Sequence, residues 1–218
     1  WSITFVSLYL IIFWLLTLLD KESAEKLIPK KIAKFSLVSI TIPAYNEEKR
    51  IWKTMKSVID LDYPKDKIEL FVMDDGSKDE TKKVVEEFIK KYKNFNIKLI
   101  SKSNRGKGAV LNEALGLSKG EYFVVFDADS TVSKDALKKM LPYFDLKDEV
   151  VCVLPAIRVR DPKNSLMHFQ WIEYMVTFFY KYIMDYVDCI PVSPGPFSVY
   201  KKKDIVKIGG FDENASNY

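Results

Sequence analysis

The chain has 218 residues and 48% hydrophobic content, enough for one α/β domain of ordinary size and too little for two large ones. Lys+Arg number 34 against Asp+Glu 30, a net charge of +4 with both signs interspersed, which is not the balance of a nucleic-acid-binding protein. Two cysteines, Cys152 and Cys189, lie far apart, and the one histidine, His168, has no second ligand near it in sequence; a zinc site is not expected, and a reduced cytosolic setting is.

Residues 1–19, WSITFVSLYLIIFWLLTLL, carry no charge and would reach about 28 Å as a helix, close to the hydrocarbon thickness of a bilayer. A transmembrane helix over 1–20 is expected rather than a signal peptide, which has a shorter apolar run and a small-residue cleavage site. In the juxtamembrane stretch 21–36, Lys21, Lys26, Lys30, Lys31 and Lys34 outnumber Glu22 and Glu25. By the positive-inside rule, everything downstream then faces the cytoplasm. The chain opens on Trp1 and stops at Tyr218 just after a GGFDE turn, so a fragment at both ends is expected.

From Leu37 strand and helix patterns alternate. LVSITIP (37–43) is β-branched and apolar, and Ile51, Met55, Val58 and Ile59 then recur at helical spacing. IELFVM (68–73) runs into DDGS, where Ser77 and Glu80 read as a capping box for a helix carrying Val84, Val85, Phe88, Ile89 and Tyr92 on one face. NIKLIS (96–101), the glycine-punctuated NRGKG (104–108), a short helix with Val110, Leu111, Ala114 and Leu115, and the strand EYFVVFD (121–127) follow. Strands this apolar, alternating with helices, predict an α/β fold with a mostly parallel sheet covered on both faces. VVCVLPAIRV (150–159) reads as a strand interrupted by Pro155. The aromatic-rich 164–187 reads as one long helix, lying on a membrane or packed in the core; Glu173, Lys181 and Asp185 argue against a full span.

In an open α/β sheet, ligands bind at the carboxyl ends of the strands. Asp74 and Asp75 end one strand and Asp127 and Asp129 end another; if the two strands are neighbours, four carboxylates share a crevice. In extended backbone Asp127 and Asp129 would face the same way, with Cα atoms about 6–7 Å apart. Oxygen-only ligands suit a hard cation, Mg²⁺ or Mn²⁺, which completes its shell with diphosphate oxygens. The plain alternative is an acidic turn, with Ser130 or Ser133 capping the next helix.

IPAYNEE, VMDDGSKDET, NRGKG, FDADS, QWIEY, SPGPFSVYKK and GGFDE stand in an order and spacing that resembles the family 2 glycosyltransferases, inverting enzymes of GT-A fold. The resemblance runs from about Leu37 to the end, giving a 37–218 catalytic domain that is incomplete at its C-terminus. It is strongest to the membrane-embedded processive polysaccharide synthases of chitin-oligosaccharide, poly-N-acetylglucosamine and hyaluronan type, through Gln170, Glu173 and Tyr174 and through Pro194, Gly195, Tyr200 and Lys201. Gly195-Pro196-Phe197 departs from the glycine-rich version of the latter stretch.

The resemblance implies a nucleotide-sugar donor, a carbohydrate acceptor and a lipid bilayer as partners, with Mg²⁺ or Mn²⁺ as cofactor. It implies that Pro43, Ala44, Tyr45 and Glu47 cradle base and ribose, and that Asp75 accepts a hydrogen bond from the base. Lys107, in preference to Arg105, would approach the diphosphate; Asp127 and Asp129 would hold the metal; Gln170, Trp171 and Gly195 would lie on the acceptor side. The general base is expected after Tyr218, because GGFDENASNY stops short of the acidic pair that supplies it in the family. Two rivals stay open: transfer of a single sugar to a polyprenyl phosphate, and a non-catalytic sugar-nucleotide-binding membrane subunit. Generic dinucleotide binding is disfavoured, since no GxGxxG follows the first strand.

Overall fold

The computed structural model describes residues 1–19, 34–186, 190, 193 and 195–213. The basic juxtamembrane stretch lies outside the described residues except for 34–36, as do Cys189 and Pro194. The chain divides into two compact units, one built from 30–155 and 194–218, the other from 1–29 and 156–193.

The larger unit holds a six-stranded sheet. Its strands are Val38–Ala44 (β1), Ile68–Asp74 (β2), Ile97–Ser101 (β3), Tyr122–Val125 (β4), Cys152–Val153 (β5) and Ser198–Lys201 (β6), in the order β3-β2-β1-β4-β6-β5. The first four are mutually parallel; β6 runs antiparallel to both β4 and β5, so the sheet is mixed. β2 is buried at every position and β1 at all but Pro43. That is why both read as continuous apolar runs: neither face meets water.

The helices Ile51–Ile59 (α2), Thr81–Lys91 (α3) and Ala136–Met140 (α5) cover one face. There Ile51, Met55, Val58, Val85, Phe88 and Leu137 pack on Ile40, Ile42, Leu70, Val72 and Val124. The helices Lys107–Leu117 (α4) and Lys202–Lys207 (α7) cover the other, where Val110, Leu111, Ala114, Leu115 and Ile205 meet Phe71, Met73, Phe123 and Val125. Each Val, Leu, Ile, Phe or Met among them contributes up to about 1.5–3 kcal/mol relative to exposure. At the amino ends of β1 and β2, the buried Glu69 accepts hydrogen bonds from Ser39 Oγ (2.5 Å) and from the main-chain N–H groups of Lys119 (2.5 Å) and Gly120 (3.2 Å), tying the loop before β4 to both strands.

The condition for four carboxylates sharing one crevice is not met: β2 and β4 are not neighbours, and β1 lies between them. Two local expectations change. The strand expected over 150–159 contracts to Cys152–Val153. The capping box does not form: α3 begins at Thr81 with no side-chain cap from Glu80, because Ser77 Oγ instead accepts the Asn46 N–H (3.0 Å) from the loop after β1.

The smaller unit contains Ser2–Leu19 (α1) and Ser165–Tyr186 (α6). Trp14 sits edge-on to Phe179 and Tyr180, with centroids 6.4 and 5.5 Å away. The reading of α6 as a core helix is corrected, since only Ile183 of it is buried. Among the described residues no helix is long and apolar enough to cross a membrane. α1, at 18 residues, reaches about 27 Å, short of a hydrocarbon core of about 30 Å.

Candidate functional site

The carboxyl ends of β1, β2 and β4 open into loops that hold one another in place. The loop after β1 is fixed to the one after β2 by side-chain to main-chain bonds: Asn46 Oδ1 accepts the Lys78 N–H (2.8 Å), Thr81 Oγ1 accepts the Glu47 N–H (2.8 Å), and Asp79 Oδ2 accepts the Glu48 N–H (3.1 Å). Asn46 reaches this position at φ +57°, a left-handed conformation that Asn tolerates better than most residues.

Asp74 and Asp75 are both buried and do different things. Asp74 accepts the Ser77 N–H (3.0 Å) and the Ser101 hydroxyl (2.7 Å), which makes it a staple of its own turn. Asp75 accepts the N–H groups of Arg105 (2.8 Å) and Gly106 (3.0 Å), so its carboxylate organises the NRGKG loop from across the sheet end. Gly76, at φ +76°, is required between them: a side chain there would collide with the main chain of Asn104.

The organised loop delivers Lys107, the first residue of α4, to the end of β4, where Nζ lies 2.7 Å from Asp127 Oδ1. Arg105 turns instead to Glu113 on α4, which also receives Lys102. Those cations, Lys102 foremost, hold the Glu113 carboxyl below its usual range.

Asp127 and Asp129 do not lie in extended backbone. The ladder ends at Val125 and 127–130 forms a turn, with Ser130 N–H on the Asp127 carbonyl (3.3 Å). Thr54 on α2 sets this turn: its Oγ1 lies 2.7 Å from the Ala128 carbonyl and 2.8 Å from that of Ser130, and its one proton can serve either. Neither serine caps α5; the Ser133 hydroxyl donates to Asp135 Oδ1 (2.7 Å). Asp129 faces Arg50 at 3.9 Å, and Arg50 reaches Glu47 at 3.7 Å. Burial raises the Glu47 carboxyl above its usual range; Arg50 opposes that shift, and Asp129 and Asp79 add to it.

Asp75 and Asp129 aside, the expected residues fall into three groups. Asp127, Lys107 and Gly195 converge: a side chain at 195 would overlap both Asp127 carboxylate oxygens, so the glycine placed on the acceptor side by resemblance lies against the aspartate. Pro43, Ala44, Tyr45 and Glu47 form the end of β1 and its loop; the Ala44 carbonyl accepts the Asp75 N–H (2.9 Å), and Tyr45 is exposed. Gln170 and Trp171 belong to α6 in the other unit, where Gln170 Nε2 donates to Tyr174 Oη (3.4 Å) and Trp171 is exposed. Sequence reading missed Asn46, Arg50 and Thr54. Among the described residues no three His, Cys, Asp or Glu side chains converge to hold a metal by themselves.

A solved structure, the mannosyltransferase PcManGT from Pyrobaculum calidifontis in complex with GDP-Man and Mn²⁺, shares this fold at a TM-score of 0.71 and 23% identity, covering 94% of this chain and 55% of that one. The architecture is an α/β fold of GT-A type with a mixed sheet. The sequence matches the profile of Glycosyl transferase family 2 over residues 39–209, and the chain belongs to that family. It is 31% identical over 205 residues to the probable glycosyltransferase YdaM of Bacillus subtilis, covering 88% of this chain and 47% of YdaM. It is 30% identical over 177 residues to the poly-beta-1,6-N-acetyl-D-glucosamine synthase of Staphylococcus epidermidis, covering 80% of this chain and 42% of the synthase. The chain therefore spans somewhat under half the length of these curated relatives.

Proposed function

We propose that this chain carries the donor-binding part of an inverting membrane glycosyltransferase. The complete protein transfers a sugar from a nucleotide sugar, with UDP as the nucleotide, to a hydroxyl of a growing polysaccharide or oligosaccharide. The observation that carries the proposal is the meeting of Lys107 and Asp127 at the carboxyl end of the sheet, on a loop that Asp75 organises. The name of the S. epidermidis relative supports a polysaccharide product.

The donor set fits a divalent cation. Mg²⁺ or Mn²⁺ takes one or two carboxylates and fills the rest of its shell with phosphate oxygens and water, and Asp127 and Asp129 lie on one turn beside a lysine suited to the same phosphates. When bound, the metal would offset charge on the departing nucleotide diphosphate. Lys107 adds a charge-assisted hydrogen bond to that leaving group. Asp75 keeps a free lone pair on each oxygen for the N–H edge of a base, and Tyr45 offers a flat face for stacking. Gly195 packs directly against the Asp127 carboxylate, leaving no room for a side chain on that side.

We place α1 in the bilayer, with the catalytic unit on the cytoplasmic face. Support comes from its uncharged sequence and from exposed side chains such as Ile3, Phe5, Leu8, Ile11 and Leu15, an apolar surface that water does not favour.

Calorimetric titration of the full-length, detergent-purified protein with UDP and with GDP, with and without Mn²⁺, and on Asp129→Asn, tests the reading. Metal-dependent UDP binding lost in the variant is the expected result. Equal binding without metal, or none, would sink it, and an organic-extractable single-sugar product would redirect it to a lipid-phosphate acceptor.

A further inference from the structure

We infer that Asn112 is a positioning residue for the transfer step, holding the turn at 209–213 against the Lys107 end of α4 so that this turn walls the reacting site. The inference rests on the function proposed above. Asn112 uses both ends of its carboxamide on a segment 99 residues away: Nδ2 donates to the Phe211 carbonyl (2.9 Å), and Oδ1 accepts the Phe211 N–H (2.7 Å). Nδ2 also donates to Glu213 Oε1 (2.8 Å), so the same amide orients a carboxylate.

Two glycines complete the fit. One helical turn before Asn112, a side chain at Gly108 would overlap the Asp212 carbonyl; on the opposite side, one at Gly210 would overlap Asn112 Oδ1. Between them the Phe211 ring packs near Phe123 and Tyr200, with centroids 6.0 and 6.1 Å away. Amide, glycines and ring thus fix four consecutive residues by separate contacts, the amide and glycines to α4 and the ring to β4 and β6.

Gly108 follows Lys107 directly, and Lys107 touches Asp127. The main chain of Asp212 therefore sits one residue from the cation assigned to the leaving group. The first six residues of α4 serve two loops at once: Lys107 meets the DADS turn, and Gly108 and Asn112 meet 210–213. Asn is a weak helix former, and a helix interior spends it where its side chain has a specific partner. The donor contacts come from β1, β2, Lys107 and the DADS turn, so releasing 209–213 leaves them in place. What changes is the geometry on the other side of the sugar, where displacement by about 1 Å can cost up to about a hundredfold in rate.

The test compares Asn112→Ala and Asn112→Asp in the full-length protein with Val110→Ala, a buried core position of the same helix, as a control for lost stability. Melting temperature, Mn²⁺-dependent nucleotide affinity, donor KM and kcat are measured for each. The Asn112 variants should keep nucleotide affinity and donor KM within about twofold while kcat falls about tenfold or more. Val110→Ala should lose as much melting temperature and keep kcat. Equal kcat losses in all three, or a KM and affinity loss as large as the kcat loss, would overturn the inference with the proposed function intact. A wild-type protein that binds no nucleotide would overturn the proposed function itself.

Discussion

Lys107→Met separates a structural tie from a donor contact, because the two roles differ in size. In the donor-free protein the Lys107–Asp127 pair is 2.7 Å long, with side chains 38% and 26% exposed. A pair this accessible contributes about 0.5–1 kcal/mol, screened by solvent and salt. In a chain of this size that amounts to a melting shift of about 1–4 °C. Against a diphosphate the same ammonium makes a charge-assisted hydrogen bond, with a contribution of about 1.5–3 kcal/mol. At about 1.4 kcal/mol per decade, nucleotide affinity should then fall about tenfold to 150-fold.

Methionine keeps the apolar stem, so packing at the start of α4 is preserved. Calorimetry with UDP and Mn²⁺ reads the affinity, and differential scanning reads the stability on the same samples. A second signature has the opposite sign: with its cation removed, Asp127 should bind Mn²⁺ alone more tightly than in the wild type. Nucleotide affinity unchanged within twofold, alongside the small melting loss, would refute the assignment of Lys107 to the diphosphate and leave it a strut between two loops.

Gly195→Ala places a methyl group on the Asp127 carboxylate, so metal-dependent nucleotide binding should weaken about tenfold or more with the fold retained, as circular dichroism and the same titration would show. Glu69→Leu removes the acceptor of the Ser39 hydroxyl and of the Lys119 N–H, while the Gly120 N–H keeps Ser39 Oγ (2.8 Å), and should cost about 1–3 kcal/mol in denaturant unfolding, with nucleotide affinity of the folded fraction unchanged. Glu113 has its pKa lowered, first by Lys102 and also by Arg105, from an unperturbed 4.5. A carboxylate shifted down on folding adds stability above its unfolded pKa and loses it as pH falls through the lowered value. Thermal unfolding of wild type should therefore lose stability below pH 4.5 more steeply than Glu113→Gln; parallel curves would remove Glu113 as a source of that slope.

The strands that read most clearly from sequence are those buried on both faces. In β1 and β2 nearly every residue meets a core, so composition alone marks them. β5 and β6, with two and four residues, carry too few side chains for a period to show. Lateral order is also silent in sequence: β2 and β4 both flank β1, an arrangement set by crossover packing that no single strand encodes. Local turn chemistry misleads when a distant partner outcompetes it. Ser77 has the spacing of a cap, yet Asn46, 31 residues earlier, takes its hydroxyl; Asp127 and Asp129 have the spacing of a strand edge, yet Thr54 gathers the Ala128 and Ser130 carbonyls into a turn.

The same competition decides which acidic residues stay available for chemistry. Four carboxylates follow β2 and β4, and sequence ranks them alike. Each buried carboxylate needs donors, and Asp74 and Asp75 find theirs in protein: Ser77 and Ser101 for one, the N–H groups of Arg105 and Gly106 for the other. Asp127 and Asp129, on a turn nearer to solvent, are met by the long, movable cations Lys107 and Arg50. A cation held by a partly exposed ion pair exchanges partners at small cost, whereas a main-chain N–H in a fixed loop does not. The buried pair thus shapes the loops, with Asp75 keeping a lone pair on each oxygen for a base, and the more exposed pair is left with counter-ions that a metal and a diphosphate can replace.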